Sequence, residues 1–429
     1  MRYNVAVIGG GPSGMIAAIS AAKLGAKVIL LEKKQELGLK LLLAGGGRCN
    51  FSNLINNIKV LPEKFGPEGK FLYSAWYKFG PNDIVEFFNS KGLKTKVEDG
   101  GKVFPLSDSS LDVRDVLLSC LLKSKVKIMT STEVSDFVFE KEKLNFVLLK
   151  GGEKILADNF IVCTGGLSYP MTGSSGEGYS FLKNMGHKIS DLRPALSPVF
   201  VKDKKIKDLE GLSLKNVKFS LYSDCNKKGK EIISIIGDAI FTSNGLSGPA
   251  IFDISSKVSL LLLKNNKSVF LEIDFFPEFS FQILDEKIKS IILTSPKKIF
   301  KNLLSEIIPP KLILYIIRNY KIDFEKPGSE TKKEERVAIV GFLKSFVLEV
   351  ESVASYDRAM LTAGGVALDE VDPKTMRSKM IKNLFIAGEV LNIDGPTGGY
   401  NLQVCWSTGY LAGESAAQKS ICSKQNYKL

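Results

Sequence analysis

Two glycine runs near the N-terminus carry the chemistry that this sequence shows first. The earlier one, VIGGGPSGMIAA, sets Gly9, Gly11 and Gly14 in a GxGxxG order around Gly10, Pro12 and Ser13. It follows a β-rich run and opens a helix-prone one. In that setting Gly9 permits a tight turn, Gly11 lets a pyrophosphate approach the backbone, and Gly14 lets the helix lie close on the sheet. The helix start adds unpaired N–H groups and the positive end of the peptide dipoles, both suited to phosphate. Glu32 closes the next strand candidate, where a carboxylate can accept both ribose hydroxyls. The same carboxylate disfavours a 2′-phosphate, so the expected nucleotide is not NADP. The later run, LAGGGRCNFSN at 43–53, holds three more glycines, an arginine and a cysteine that a dinucleotide fingerprint does not require.

The fingerprint does not separate NAD from FAD, but two distant stretches do. IVCTGG at 161–166 reads as a buried strand ending in Thr164 and Gly165, which returns the chain to the nucleotide. Near the C-terminus, LFIAGEVLNIDGPTGGYNLQVCWSTGYLAG reads as a strand, the pair Gly388-Glu389, a loop at Gly398 and Gly399, and a helix opening at Tyr400 and Asn401. Glu389 could hold a polyol hydroxyl. Gly409, Ala412 and Gly413 suit close packing of that helix. A helix N-terminus aimed at a flavin pyrimidine would stabilise negative charge on the reduced ring. NAD needs no second docking point at the far end of the chain, whereas the longer FAD does. FAD is the cofactor expected.

An α/β fold has to position these residues. YNVAVI (3–8), MIAAISAAKL (15–24) and KVILLE (27–32) alternate strand, helix and strand, a βαβ unit with a parallel sheet. Between 133 and 160, EVSDFVFEK, LNFVLLKG and KILADNF read as an antiparallel meander, with FIVCTGG as another buried strand after it. From 196 to 275 the chain is β-rich, with KNVKFSLYS, KEIISIIG and KSVFLEIDFF as strands. Residues 282–320 turn to helical periodicity broken by SPKK and IPPK, and the pattern reverts near 350 to end in NLFIAG and a long helix. The expected organisation is a Rossmann-type FAD-binding domain made of both chain ends, residues 1–195 and 346–429. A β-rich domain at 196–275 and a helical segment at 276–345 interrupt it.

Composition narrows the function classes. At 429 residues with 44% hydrophobic and 24% charged residues, the chain can bury a large core. No run of eighteen or more uncharged apolar residues occurs, and the apolar N-terminus carries glycines where a signal peptide has its apolar core. A cytoplasmic protein is expected. Cysteines 49, 120, 163, 225, 405 and 422 form no CxxC pair, so neither a zinc site nor a disulfide framework is indicated. The single histidine, His187, argues against a histidine-ligated metal or a Ser-His-Asp triad and reads as a structural residue after an amphipathic segment. The net charge of +13 fits a lysine-rich proteome or an anionic partner. Residues 196–344 are modestly more basic than the rest, but their runs (KDKKIKD, NKKGKE, SPKKIFK, ETKKEER) are mixed in sign and lack interleaved aromatics. They read as solvated surface before they read as an RNA face.

Several long stretches together resemble the BaiN-like, or YhiN-like, FAD-binding flavoproteins, often labelled the aminoacetone oxidase family. They are GGGRCNFSN, GKVFPLSDSSLDV, GGLSYPMTGSSGEGY, FTSNGLSGPA, TAGGVALDEVDPKTM and AGEVLNIDGPTGGYNLQ, and the match runs nearly end to end. The resemblance implies an FAD-binding Rossmann domain with inserted β-rich and helical domains. It also implies that Lys33, Lys40, Gly46, Gly47, Arg48, Cys49, Asn50, Val134 and Leu402 join the fingerprint and C-terminal residues around the cofactor. Physically, the glycines of the second loop let backbone approach an aromatic ring edge. Arg48 could offer a forked cation to pyrophosphate or to an anionic substrate, or anchor structure. Cys49 would stand near the reactive face or act as a small packing residue. Three positions depart from the family pattern: Ser243 stands where His is usual, Asn392 replaces an Asp, and Arg377 replaces a commonly acidic residue. The first weakens any mechanism that uses a histidine from the insertion.

No second strand-GxGxxG-helix unit and no redox CxxC are visible, so the chain does not read as a two-dinucleotide disulfide reductase. The expected activity is a reductase: NAD(P)H visits transiently, flavin N5 takes the hydride and passes it to a conjugated C=C bond. Cys49, Tyr169 and Tyr400 are the candidates for the general acid that protonates the adjacent carbon. The substrate is a small molecule or, as the resemblance also implies, uridine in structured ribosomal RNA. An oxidase of a small amine or ketone and a non-catalytic flavin-binding protein are the competing classes. No metal and no membrane partner are expected.

Overall fold

A computed structural model describes residues 1–54, 60–223, 231–264, 268–320 and 322–425, with side chains as far as 420. Cys225, the Cys422 side chain and most of the NKKGKE run lie outside the described residues. The chain divides into two compact units, one made of 1–193 with 356–429 and the other of 194–355.

The first unit is built on a seven-stranded sheet. Arg2–Ile8 lies parallel between Val28–Leu31 and Lys154–Val162, and Lys127–Met129 extends the sheet beyond Val28–Leu31. All four residues of Val28–Leu31 are buried, as expected of a parallel strand covered on both faces. The helix Pro12–Lys23 follows the first strand, with every residue from Ser13 to Ala21 buried. Its small side chains admit the C-terminal helix Tyr400–Gln425 at close range. A Cβ on Gly409 would fall 2.4 Å from the Ser13 carbonyl oxygen, and one on Gly413 would fall 2.2 Å from that of Ala17.

The meander runs through Val134–Glu140, Lys143–Leu149 and Lys154–Val162. Here the structure differs from the sequence reading, because KILADNF and FIVCTGG form one nine-residue strand rather than two. Its first residues pair antiparallel with Phe146–Leu148, and its last three pair in parallel with Leu384–Ile386 from the chain end. Asp158 and Asn159 at the junction are turn-prone by type but stay in the strand, Asp158 paired with Arg2 at 2.7 Å and Asn159 donating to the Ala416 carbonyl at 2.9 Å, and Phe160, Ile161 and Val162 are fully buried.

In the second unit, six strands close a barrel in the order Val199–Val201, Gly245–Ser247, Ile233–Thr242, Ser213–Tyr222, Val269–Asp274 and Phe346–Val353. The strand Phe346–Val353, assigned above to the second part of the cofactor domain, completes the barrel by pairing with Val199–Val201 and Val269–Asp274. The helices Phe281–Thr294, Pro310–Asn319 and Lys333–Lys344 share one apolar core with these strands, so the β-rich and helical stretches are a single unit rather than two. Ser243 and Asn244 are exposed at the turn between Ile233–Thr242 and Gly245–Ser247. Among the described residues no helix is long and apolar enough to cross a membrane, and no cluster of side chains could hold a metal ion.

Candidate cofactor cradle

The first glycine loop is tight on the sheet side and open on the other. A Cβ on Gly9 (φ +104°) would lie 2.4 Å from the Cys163 carbonyl oxygen, and one on Gly14 would lie 1.8 Å from that of Gly9. A Cβ on Gly11 would meet nothing within 4 Å. Gly11 caps the helix, and Pro12 begins it, where the missing N–H is not needed. Ser13 is buried, its hydroxyl 3.6 Å from the Cys163 thiol. Glu32 closes its strand with one carboxylate oxygen 2.7 Å from Gly10 N and the other 2.8 Å from Lys34 N. Two backbone donors therefore hold the carboxylate beside the turn. Lys33 turns away to an ion pair with Glu177 at 2.9 Å and a contact with Ser175.

The second loop contributes more open backbone. Gly45, Gly46 and Gly47 are all left-handed (φ +58°, +67° and +90°), and added Cβ atoms on Gly46 and Gly47 would meet nothing within 4 Å. The loop is tied at its base by Cys49 N to the Ala44 carbonyl, 2.9 Å. Asn50 brings it to the C-terminal loop, since a Cβ on Gly399 would lie 2.7 Å from Asn50 Oδ1 and 2.2 Å from the Ser52 carbonyl oxygen. Gly165 (φ +71°) and Gly388 (φ +84°) are likewise left-handed turns, the latter against Ser13. Val134 starts its strand buried, and Leu402 packs on the core.

Lys40 and Glu389 form the polar centre. Lys40 Nζ lies 2.6 Å from Glu389 Oε2 and 2.6 Å from Ser168 Oγ. Glu389 Oε1 also accepts from Ser168 Oγ at 2.9 Å and from Thr362 N at 3.0 Å. Thr362 Oγ1 in turn accepts from Leu167 N and Ser168 N. The Glu389 carboxylate is bonded to protein groups at both oxygens, so the expected polyol acceptor is also a hub that ties these loops together. Ser168 and Thr362 were missed by sequence reading, although both lie in motifs quoted above.

Three further expectations are corrected. The Arg48 fork is not offered to phosphate: it binds Glu98 at 2.5 Å and Asp108 at 2.8 Å, stacked on the Phe104 ring at 4.2 Å. Cys49 is fully buried in the apolar core with a left-handed backbone (φ +60°), and burial pushes its thiol pKa up to about 12. Its side chain packs in that core with no surface open to solvent. Asn401 is spent on its own turn, accepting from Gly395 N at 2.8 Å and donating to the Gly395 and Pro396 carbonyls. Of the remaining acid candidates, Tyr169 is half-buried with φ +52° and its N–H on the Tyr356 carbonyl at 2.9 Å. Tyr400 is 8% exposed, edge-on to Phe65.

His187 is buried between Glu370 (Nδ1, 3.1 Å) and Ser378 (Nε2, 3.0 Å), a chain that imitates a hydrolytic triad. The Ser378 hydroxyl, 2% exposed, accepts from Met380 N and Ile381 N, so its proton points to the histidine and it is a structural knot.

The cradle fits a dinucleotide. Gly11, Gly46 and Gly47 leave backbone uncovered, Glu32 is fixed at a strand end, and the buried Asn50 Oδ1 and Thr164 Oγ1 lack partners that a ligand could supply. A family model, the HI0933-like protein Rossmann domain, matches residues 3–415. The chain belongs to that family. It is 32% identical over 419 residues to the 3-dehydro-bile acid delta(4,6)-reductase of Clostridium scindens, covering 97% of this chain and 99% of the relative. It is 30% identical over 418 residues to the ribosomal RNA dihydrouridine synthase of Haemophilus influenzae, covering 96% and 98%. The fold is that of the 3-ketosteroid delta1-dehydrogenase from Sterolibacterium denitrificans (TM-score 0.55, 13% identity, covering 97% of this chain and 100% of that one). Quinol fumarate reductase of E. coli shares it too (TM-score 0.52, 14% identity, covering 99% and 71%). This is a flavoprotein oxidoreductase.

Proposed function

We propose that the protein is an FAD-dependent reductase that adds hydride to a C=C bond conjugated with a carbonyl, with NAD(P)H as the transient donor, acting in the cytoplasm. The observation that carries this reading is the open backbone at Gly11, Gly46 and Gly47 together with full-length similarity to a delta(4,6)-reductase. FAD, when bound, supplies the hydride-carrying ring. Gly11 and the start of the helix Pro12–Lys23 hold its pyrophosphate, and Glu32 takes the ribose hydroxyls. Gly46 and Gly47 present bare backbone to the ring, Gly399 and the helix start at Tyr400 face its pyrimidine, and the Lys40–Glu389–Ser168 hub fixes the loops between them. Tyr169 is the leading candidate for proton donor to the substrate carbon, ahead of the more deeply buried Tyr400. Uracil in ribosomal RNA also holds a C=C bond conjugated with a carbonyl, and the similarity to the dihydrouridine synthase favours it as a second acceptor.

The test is anaerobic. The purified protein should be yellow, and NADH or NADPH should bleach the flavin band, which an enone or unmodified ribosomal RNA then restores. RNA turnover that falls steeply with salt identifies the second acceptor. A flavin that neither donor bleaches overturns the reductase reading, and stoichiometric peroxide with a small amine would establish an oxidase instead.

A further inference from the structure

The glycine arch at 45–47 sets three left-handed glycines in a row. Glycine has the greatest conformational freedom of any residue, and three in sequence form a segment that is floppy unless something outside it fixes its ends. Nothing packs on the open side of Gly46 or Gly47. One end continues into buried Cys49. At the junction stands Arg48, whose half-exposed guanidinium is bonded to two carboxylates and covered on one face by Phe104.

Its Nε and Nη2 donate to Asp108 Oδ1 at 3.0 and 2.8 Å, and its Nη2 and Nη1 donate to Glu98 at 2.5 and 3.3 Å. Lys96 completes a quartet of two cations and two anions, with Asp108 at 2.6 Å and Glu98 at 3.4 Å. Phe104 lies under the guanidinium, and its ring edge is also 3.7 Å from where a Cβ on Gly45 would stand. The carboxylates come from the short antiparallel sheet Thr95–Glu98 with Lys102–Pro105 and from the turn after it. Each carboxylate is held below its ordinary pKa by the Arg48 and Lys96 partners, so both are ionised at neutral pH.

We infer that Arg48 is a positioning residue, which fixes the Gly45–Gly47 arch for the cofactor by latching it to Glu98 and Asp108 instead of touching a phosphate itself. This rests on the reading that FAD occupies the arch. The two roles differ in sign when the carboxylates are removed. A phosphate anchor freed from Glu98 and Asp108 would bind FAD as well or better, whereas a latch that loses its keepers lets the arch move.

The experiment measures FAD affinity by quenching of flavin fluorescence, for the wild type, Arg48→Met, Arg48→Lys, Glu98→Gln/Asp108→Asn and the triple change. Ordering a loop before binding is worth about tenfold in affinity, and that weakening is expected for Arg48→Met and for the carboxylate pair alike. The triple change should be no worse than either, since both break one latch. Arg48→Lys should recover part of the loss. The apoproteins should melt within a few degrees of one another, which separates arch placement from general destabilisation. Unchanged or tighter binding in Glu98→Gln/Asp108→Asn would overturn the latch, as would additive losses in the triple change. A wild type that takes up no FAD would instead remove the flavoprotein reading beneath it.

Discussion

Lys40 and Glu389 stand 349 positions apart in the chain, and their side chains meet at 2.6 Å with Ser168 bonded to both. The pair staples the second glycine loop to the C-terminal strand–loop–helix. Both side chains are largely withdrawn from solvent, so removing one leaves the other's charge without its counter-ion. Lys40→Met should cost about 2–3 kcal/mol in urea unfolding, less than a fully buried pair because Lys40 keeps some water. Adding Glu389→Leu to it should restore part of that stability.

Gly11 and Gly14 separate ligand from fold. Gly11→Ala places a methyl in open space on ordinary extended backbone, so the apoprotein should melt as the wild type does. Its FAD affinity should fall at least tenfold, because the methyl occupies the pyrophosphate approach. Gly14→Ala drives a methyl onto the Gly9 carbonyl and should destabilise the apoprotein itself by about 1–3 kcal/mol or more. Paired melting and flavin-binding curves check both.

How far the cradle was legible follows from where each partner lies in the sequence. The fingerprint, Glu32 and the βαβ unit are local, and periodicity with glycine spacing reports them. Arg48, Lys40 and Glu389 were recognised as site residues, but Glu98, Asp108, Ser168 and Thr362, which bind them, were not. Glu98 and Asp108 sit fifty and sixty positions from Arg48, and nothing local marks a surface acid as a latch. Cys49 was a candidate because the resemblance sets its loop beside the cofactor, yet reactivity needs an exposed thiolate and this thiol is sealed. The domain boundary at 346 was placed where helical periodicity stops, but Phe346–Val353 is drawn to the barrel because a closed sheet leaves no open edge.

Cys49 should therefore be dispensable for chemistry. Cys49→Ala should lower stability by about 1–2 kcal/mol through the small cavity it leaves. Donor-driven bleaching and reoxidation by an enone should keep their wild-type rates in stopped-flow mixing. A drop of a hundredfold or more in the reoxidation step alone would return the thiol to the mechanism.

His187 supplies a pH dependence. Burial holds its pKa below the ordinary value of 6.5, with Glu370 opposing, so the folded protein prefers the neutral ring. As pH falls below about 6.5 the unfolded chain takes up the proton first, and stability is lost progressively toward the folded value. Above that window the contribution is fully present. Melting temperatures between pH 8 and 5 should decline less steeply for His187→Gln than for the wild type.

The nine-residue strand Lys154–Val162 bears on the order in which the chain is made. Its edge partner Leu384–Ile386 and the helix Tyr400–Gln425 emerge from the ribosome only after the whole of 194–355. The contiguous barrel unit can close as soon as Phe346–Val353 is released, whereas the cofactor unit must hold an unfinished sheet until synthesis is nearly complete. Those long-range pairings are the slow ones to form. Flavin is thus expected to enter at the last stage of biogenesis, and a nascent chain stalled before residue 384 would carry a folded barrel and no colour.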